Sequence, residues 1–269
     1  MSDTHDYMVE PHSKVKLSKY DPDDHGDFDD KDEADKETVE LLEKLQKLQG
    51  LLYAEGKRAL LVVFQAMDAG GKDGAIRTVF SGVNPQGCEV HSFKKPSDLE
   101  MQHDFIWRCH LRSPAKGMIG IFNRSHYESV LIERIANVVP EKVWKKRYGH
   151  INDFEQMLTE EGTVVRKFFL HISKEEQRER LQERLSDPSK NWKFASSDLE
   201  VRQQWDDYIE AYEDVLSKTS TEHAPWFVIP ANKKWYRNYL IADVLVRTLK
   251  DMDMKYPPAE KGLDKVVVR

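Results

Sequence analysis

The sequence predicts an α/β protein: a mainly parallel β-sheet covered by helices on both faces, with a phosphate-binding loop after its first strand. Three observations carry this. An apolar run at residues 60–64, LLVVF, stops at the glycine-bearing turn QAMDAGGKDG, and a helix-like pattern at Ala75, Ile76 and Val79 follows. Four more short apolar runs appear at 89–93, 118–122, 163–172 and 226–229. Helix-patterned segments separate them, at about 75–82, 97–112, 125–160, 173–185, 198–218 and 233–252. Strands alternating with helices imply a parallel sheet buried on both faces, whose ligands bind beyond the C-terminal strand ends.

Ahead of the first strand, residues 1–35 are polar and acidic, and DPDDHGDFDD at 21–30 has no periodicity. They read as a mobile or surface-draped arm, pinned at most by VKLSKY at 15–20. Residues 1–37 hold 13 acidic and 5 basic side chains. The chain's net −6 therefore belongs to the arm, and the rest carries +2, free to form a basic channel. Residues 36–56 place Val39, Leu42, Leu45, Leu48, Leu51 and Leu52 at helical spacing with Gly56 as terminator. This amphipathic helix packs on the body or on a second subunit. The body is expected over 57–255 and a tail over 256–269.

The first strand's turn carries the chemistry. Glycines let backbone N–H groups approach phosphate oxygens, a helix N-terminus adds partial positive charge, and Lys72 reaches the outer phosphates. The cradle is Ala69, Gly70, Gly71, Lys72, Asp73 and Gly74. Against the pattern G-x-x-x-x-G-K-[ST], Ala66 takes the first glycine position and Asp73 the Ser/Thr position. A bare carboxylate at Asp68 would repel phosphate, so it is expected beside Mg²⁺, the alternative being an Asx-turn. Asp73 stays open between a phosphate-site role and the helix dipole.

Later strand ends add cations. Lys94 and Lys95 follow the second strand and are expected at phosphate. After the third, NRSHYE supplies Arg124, placed to grip a phosphate bidentately. Glu128 either serves the site or closes a capping box with Ser125. After the fourth, Ser173 and Glu176 start a helix bearing Arg178, Arg180 and Arg184, followed by Lys190, Trp192 and Lys193. This reads either as a solvated helix or as a cationic lid over about 173–198 that closes on a phosphoryl group. After the fifth come Asn232, Lys233, Lys234 and Arg237, while Trp235, Tyr236 and Tyr239 are expected in packing.

Two cysteines, Cys88 and Cys109, have no metal-ligand spacing and suggest no disulfide. No apolar run reaches membrane length and the N-terminus lacks signal-peptide features, so a cytoplasmic protein with no membrane partner is expected.

The segments QAMDAGGKDGAIR, FNRSHYESVLIER, FFLHISKEEQRERLQERL, DPSKNWKF, RQQWDDYIEAYED and APWFVIPANKKWYRNYL together resemble the polyphosphate kinase 2 family. They span about residues 50–245. The resemblance implies a P-loop kinase fold close to thymidylate kinases: a three-layer sandwich with a five-stranded parallel sheet in order 2-3-1-4-5 and a helical lid. It implies Mg²⁺-dependent transfer of the terminal phosphoryl group of inorganic polyphosphate to AMP or ADP, reversible in principle, giving ADP or ATP. Asp68 and Lys72 match the loop's aspartate and lysine, Arg124 the arginine of the second motif, and Arg178 and Arg184 lid positions. These imply catalytic roles for Asp68, Lys72, Arg124 and Arg178, and metal binding by Asp68 and Asn123. Asn123, Arg124, Tyr127, Glu128 and Lys193 are then expected at the nucleotide, and Arg77, Lys94, Lys95 and Arg184 along the polyphosphate chain. The NRSHYE form of the second motif looks like the family's third class, which acts on both AMP and ADP. A homo-oligomer, dimer or tetramer, is expected, without nucleic acid as partner. The competing readings are an ATP-dependent nucleoside monophosphate kinase and a non-catalytic module binding polyphosphate or nucleic acid.

Overall fold

A computed structural model describes residues 4–263 and 266–268. Its centre is β1 (Ala59–Ala66), eight residues of which every one is buried. Strand β1 pairs in parallel with β3 (Ile119–Asn123) on one side and β4 (Thr163–His171) on the other. Outside these lie β2 (Cys88–Ser92) and β5 (Trp226–Pro230), giving the order β2-β3-β1-β4-β5 with all pairings parallel. The register aligns Phe64 with Asn123 and Ala66 with Leu170, so the ends of β1, β3 and β4 open on one edge. This is the order that the resemblance implies. The β-branched and aromatic run of β1 reads as apolar throughout because helices cover both its faces. Edge strand β2 is half exposed instead, and its residues are correspondingly more polar.

Helix α1 (Lys31–Glu55) starts five residues earlier than the apolar spacing suggests. Asp30 supplies the reason: its side chain accepts from the Glu33 N–H, capping the first turn. Gly56, at φ 63°, ends it as expected. Leu41, Leu45 and Leu52 are buried, and the helix packs along α9 (Lys234–Asp251) of the same chain. Of the expected stripe, Leu45 and Leu52 thus face the body, while Leu42, Leu48 and Leu51 are half-buried and Val39 is exposed.

Of the two readings of the arm, mobile or draped on the surface, the structure shows the draped one. Tyr7, Val9, Val15, Leu17 and Phe28 are buried. The Val9 N–H donates to the Trp226 carbonyl, and Met8 bridges Phe227 antiparallel, so the arm closes the free edge of β5. Leu17 N–H donates to Glu213, and Phe28 packs edge-on against Trp235 and Tyr239. The apolar residues of this segment are scattered singly, which is why no period marks them.

Helix α2 (Lys72–Val79) follows the loop directly. The stretch 97–112 is mostly irregular, with a 3₁₀ turn (Glu100–Gln102) and a short α3 (Trp107–His110), the latter started by Asp104 accepting from the Ile106 and Trp107 N–H groups. The expected helix over 125–160 is broken. A 3₁₀ turn (His126–Val130) and α4 (Ile132–Ile135) precede α5 (Glu141–Glu160), with Asn137 at φ 52° and Pro140 at the N-cap. Proline has no N–H to continue a helix, so the chain restarts there. Helix α6 (Lys174–Ser186) follows β4, and the expected helix at 198–218 is split at Gln204 into α7 (Ser197–Gln203) and α8 (Trp205–Thr219). No helix of the described residues is long and apolar enough to cross a membrane.

Candidate active site

The loop between β1 and α2 wraps tightly. Gly70 N–H donates to the Met67 carbonyl, Ala69 sits at φ 60° and Gly71 at φ 95°. A Cβ on Gly70 would fall 2.5 Å from the Ala66 Cβ and 2.8 Å from the Met67 carbonyl. A Cβ on Gly71 would meet the Arg237 guanidinium at 2.4 Å. Gly70 is therefore required by close approach to its neighbours, and Gly71 by its φ. Lys72 opens α2 and lies half-buried with its ammonium donating to the Ala66 carbonyl at 3.0 Å. Burial, and then the charge of Arg124, lower its pKa to about 8 against the pull of Asp68, Glu128 and Asp73.

Lys72 gives the site a pH signature. Its charge is lost in the ligand-free protein as pH rises through about 8. Affinity for pyrophosphate should therefore fall by up to about tenfold per pH unit above that point, measured by titration calorimetry from pH 7 to 9.5. Folding stability responds with the opposite sign. The unfolded lysine holds its proton up to roughly pH 10.4, so stability rises with pH between the two values. Affinity independent of pH across this window would remove Lys72 as the titrating cation.

At the end of β3, Arg124 adopts φ 61°, left-handed backbone uncommon for a residue with a side chain. Its N–H donates to the Phe64 carbonyl, fixing the turn to β1. The guanidinium lies 3.0 Å from Asp68 and 3.6 Å from Glu128. Burial works against the Arg124 charge, but Glu128 and Asp68 outweigh it and hold the pKa above its usual value. Glu128 also accepts from the Gln65 amide at 2.9 Å. The Ser125 hydroxyl caps the Tyr127 N–H. The Glu128 carboxylate is thus turned to Arg124 and Gln65, which favours a site role over the capping box. Asn123 donates to Asp73 at 2.6 Å, linking the end of β3 to the start of α2.

Asp68, Arg124 and Glu128 line a narrow pocket together with Val201, Tyr208 and Tyr212. Burial, and then the Asp68 and Glu128 carboxylates, push the Tyr208 phenol up to about 12. The pocket thus has a charged floor and an aromatic side, the combination of a phosphate end and a flat apolar body. Tyr208 and Tyr212 lie in RQQWDDYIEAYED, but helical spacing alone marks them as ordinary core residues.

Other expected site residues are distributed as follows. Tyr127 is not available to a nucleotide: it is fully buried, and its hydroxyl donates to Glu155 at 2.8 Å. Arg178 points to solvent and pairs with Glu175, away from the loop residues. Arg184 bonds the Lys193 carbonyl and Asp198, bracing the segment between α6 and α7. Lys193 is exposed with its ammonium over the Trp192 ring. Lys94 and Lys95 are exposed beyond β2, two strands from the loop, and Arg77 is exposed on α2.

Arg180 and Arg237 stand among the cations expected at the strand ends, but their carbonyl partners, and the pair Lys167–Glu155, escaped the sequence reading. Arg180 is buried, pairs with Glu176 at 2.6 Å and donates to the Ala69 and Ala231 carbonyls. Arg237 donates to the Gly71 carbonyl, and burial and then Arg180 lower its pKa to about 10, leaving it cationic at neutral pH. Behind the 3₁₀ turn lies a fully buried pair, Lys167–Glu155 at 2.5 Å. Lys167 also donates to the Thr219 carbonyl and the Tyr127 hydroxyl, and Glu155 bonds His126 at 3.2 Å. Burial opposes the Glu155 charge, but Lys167 and His126 outweigh it and hold the carboxyl below its usual range. A lysine inside the apolar run TVVRKFFLH was the one available signal.

Among the described residues no group of three or more His, Cys, Asp or Glu is arranged to hold a metal. One carboxylate, Asp68, beside an anion-binding loop fits Mg²⁺ of the kind that takes its remaining ligands from phosphate and water.

A model of the family described as Polyphosphate kinase 2 (PPK2) matches residues 28–257. An AMP/ADP-polyphosphate phosphotransferase of Meiothermus ruber is 55% identical over 263 residues, covering 97% of this chain and 98% of that protein. An ADP-polyphosphate phosphotransferase of Rhodopseudomonas palustris is 50% identical over 219 residues, 77% of this chain and 76% of that protein. A crystal structure of polyphosphate kinase 2 from Arthrobacter aurescens TC1 matches with a TM-score of 0.91 at 40% identity, over 96% of this chain and 95% of that chain. With its loop, strand order and arginine-bearing turn arranged as described, the chain belongs to the polyphosphate kinase 2 family.

Proposed function

We propose that this protein transfers the terminal phosphoryl group of inorganic polyphosphate to AMP and to ADP. The observation that carries it is the junction of phosphate loop and pocket: Arg124 bonds Asp68 of the loop at 3.0 Å while both line the pocket closed by Tyr208 and Tyr212. Likeness to the Meiothermus ruber enzyme along almost its whole length supports the same reaction and the same pair of acceptors.

In this reading an oxygen of the acceptor's last phosphate attacks the terminal phosphorus of the chain. The bridging P–O bond breaks, and polyphosphate leaves one unit shorter. Such transfers need alignment and neutralised oxygens rather than covalent work by the protein. Loop N–H groups and Lys72 hold the donor's terminal phosphates, and Arg124 holds the acceptor phosphate against them. Tyr208, Tyr212 and Val201 receive the flat apolar part of the nucleotide, and the buried wall excludes water. Asp68 would hold Mg²⁺, which supplies charge neutralisation between phosphate oxygens when bound. Lys94, Lys95 and Arg77 extend the positive track for a longer chain. Arg178 would reach the phosphates by leaving Glu175, an exposed partner that offers little resistance.

The test is an assay with AMP and ADP side by side, in Mg²⁺ and polyphosphate and without any nucleoside triphosphate. ADP appearing from AMP and ATP from ADP is the expected result. Product only after ATP is supplied would replace this reading with a nucleoside monophosphate kinase. Salt-sensitive polyphosphate binding without turnover would reduce the protein to a binding module.

A further inference from the structure

Three side-chain donors take carbonyls of the phosphate loop. Gln177 donates to the Asp68 carbonyl at 2.9 Å, Arg180 to Ala69 at 3.1 Å and Arg237 to Gly71 at 3.3 Å. These bonds fix the path of the loop, whose Gly70 N–H is itself spent on the Met67 carbonyl. Gln177 does more than this. It is fully buried, and its other end, Oε1, accepts from Arg202 Nη1 at 3.2 Å. Arg202 lies on α7 beside Val201, whose side chain lines the pocket, and it also bonds the Lys174 carbonyl at the start of α6. One buried amide thus joins the backbone of Asp68 to the helix that walls the acceptor pocket.

We infer that Gln177 is a positioning residue coupling α7 to Asp68, so that seating α7 against the pocket and orienting the Asp68 carboxylate are one event. The chemistry of the position is specific. One end must donate to a carbonyl while the other accepts from a guanidinium, and among side chains of this length only an amide does both. Glutamate would keep Arg202 but set an acceptor against the Asp68 carbonyl, and methionine would satisfy neither partner. Both losses fall on buried groups, where an unmet partner is costly.

This inference rests on the phosphotransfer reading, and one set of variants separates the two. Q177M, Q177E, R202M and the double variant Q177M/R202M are compared with wild type in polyphosphate-driven phosphorylation of AMP, with Tm recorded for each. Expected are kcat losses of about tenfold in Q177M and in Q177E, with KM for AMP changed less than about twofold. R202M, altered at a half-buried position that threatens the fold little, should lose several-fold in kcat. The double variant should be no slower than Q177M, since both changes cut the same link. A kcat within about twofold of wild type in R202M and Q177E, or losses that multiply in the double variant, would overturn the coupling. A lower Tm with unchanged kcat would do so too, leaving Gln177 a packing residue. Wild type inactive on polyphosphate would overturn the phosphotransfer reading instead.

Discussion

Replacing Lys72 by alanine is expected to lower polyphosphate-driven turnover by about a thousandfold or more, and Asp68→Asn by about a hundred- to a thousandfold. Lys72 is the cation at the mouth of the loop, held by the Ala66 carbonyl within reach of the phosphate cradle. Asp68 is the pocket carboxylate directly bonded to Arg124. Neither holds the core together: both are partly exposed, and the strands beneath them are apolar. Far-ultraviolet circular dichroism and Tm should therefore stay close to wild type. Removing Asp68 carries a second effect, because Arg124 would turn fully to Glu128. Arg124 should then hold acceptor phosphate in a shifted place, seen as a raised KM for the nucleotide besides the loss in kcat. Turnover near wild type in either variant would reject the site assignment.

The second large effect belongs to the buried pair. Lys167→Met is expected to cost about 3–5 kcal/mol of stability, because Glu155 would be left charged or forced to take a proton in the core. Glu155 has His126 and Tyr127 as its remaining partners. Both sit in the turn that carries Arg124 and Glu128, so the damage should reach the site as well as the fold. The double change Lys167→Met with Glu155→Leu removes both charges together and should recover most of the stability, since apolar replacements of buried pairs are often neutral. Urea midpoints at constant m-value check this. Equal losses in the single and double variants would mean that shape rather than charge holds the cluster.

How far the sequence reaches depends on how local each feature is. The strand, glycine turn, lysine and helix are contiguous, so β1, the loop and α2 are legible with their chemistry. Arg124 is legible too, because a strand end in a parallel sheet has a known destination. The contacts of Gln177, Arg180 and Arg237 are not. Their partners are carbonyls 109, 111 and 166 residues away, and nothing in a helical repeat distinguishes a buried arginine from a solvated one. Tyr127 fails for a related reason. Its neighbours face the cleft, but the 3₁₀ turn rotates it into the core, a geometry that residue order does not reveal. The break near Pro140 was signalled by the proline itself.

The arm along β5 has a consequence for the timing of assembly. Its contacts join residues made far apart in time: Tyr7 to Tyr236, separated by 229 positions, and Val9 to Trp226. A ribosome adding roughly 5–20 residues per second takes about 10–45 seconds between them. Through that interval the buried faces of Tyr7, Val9, Leu17 and Phe28 have no β5 or α9 to lie against. The edge of the sheet is therefore sealed only once β5 is made, by residues that have waited through the synthesis of the whole sheet.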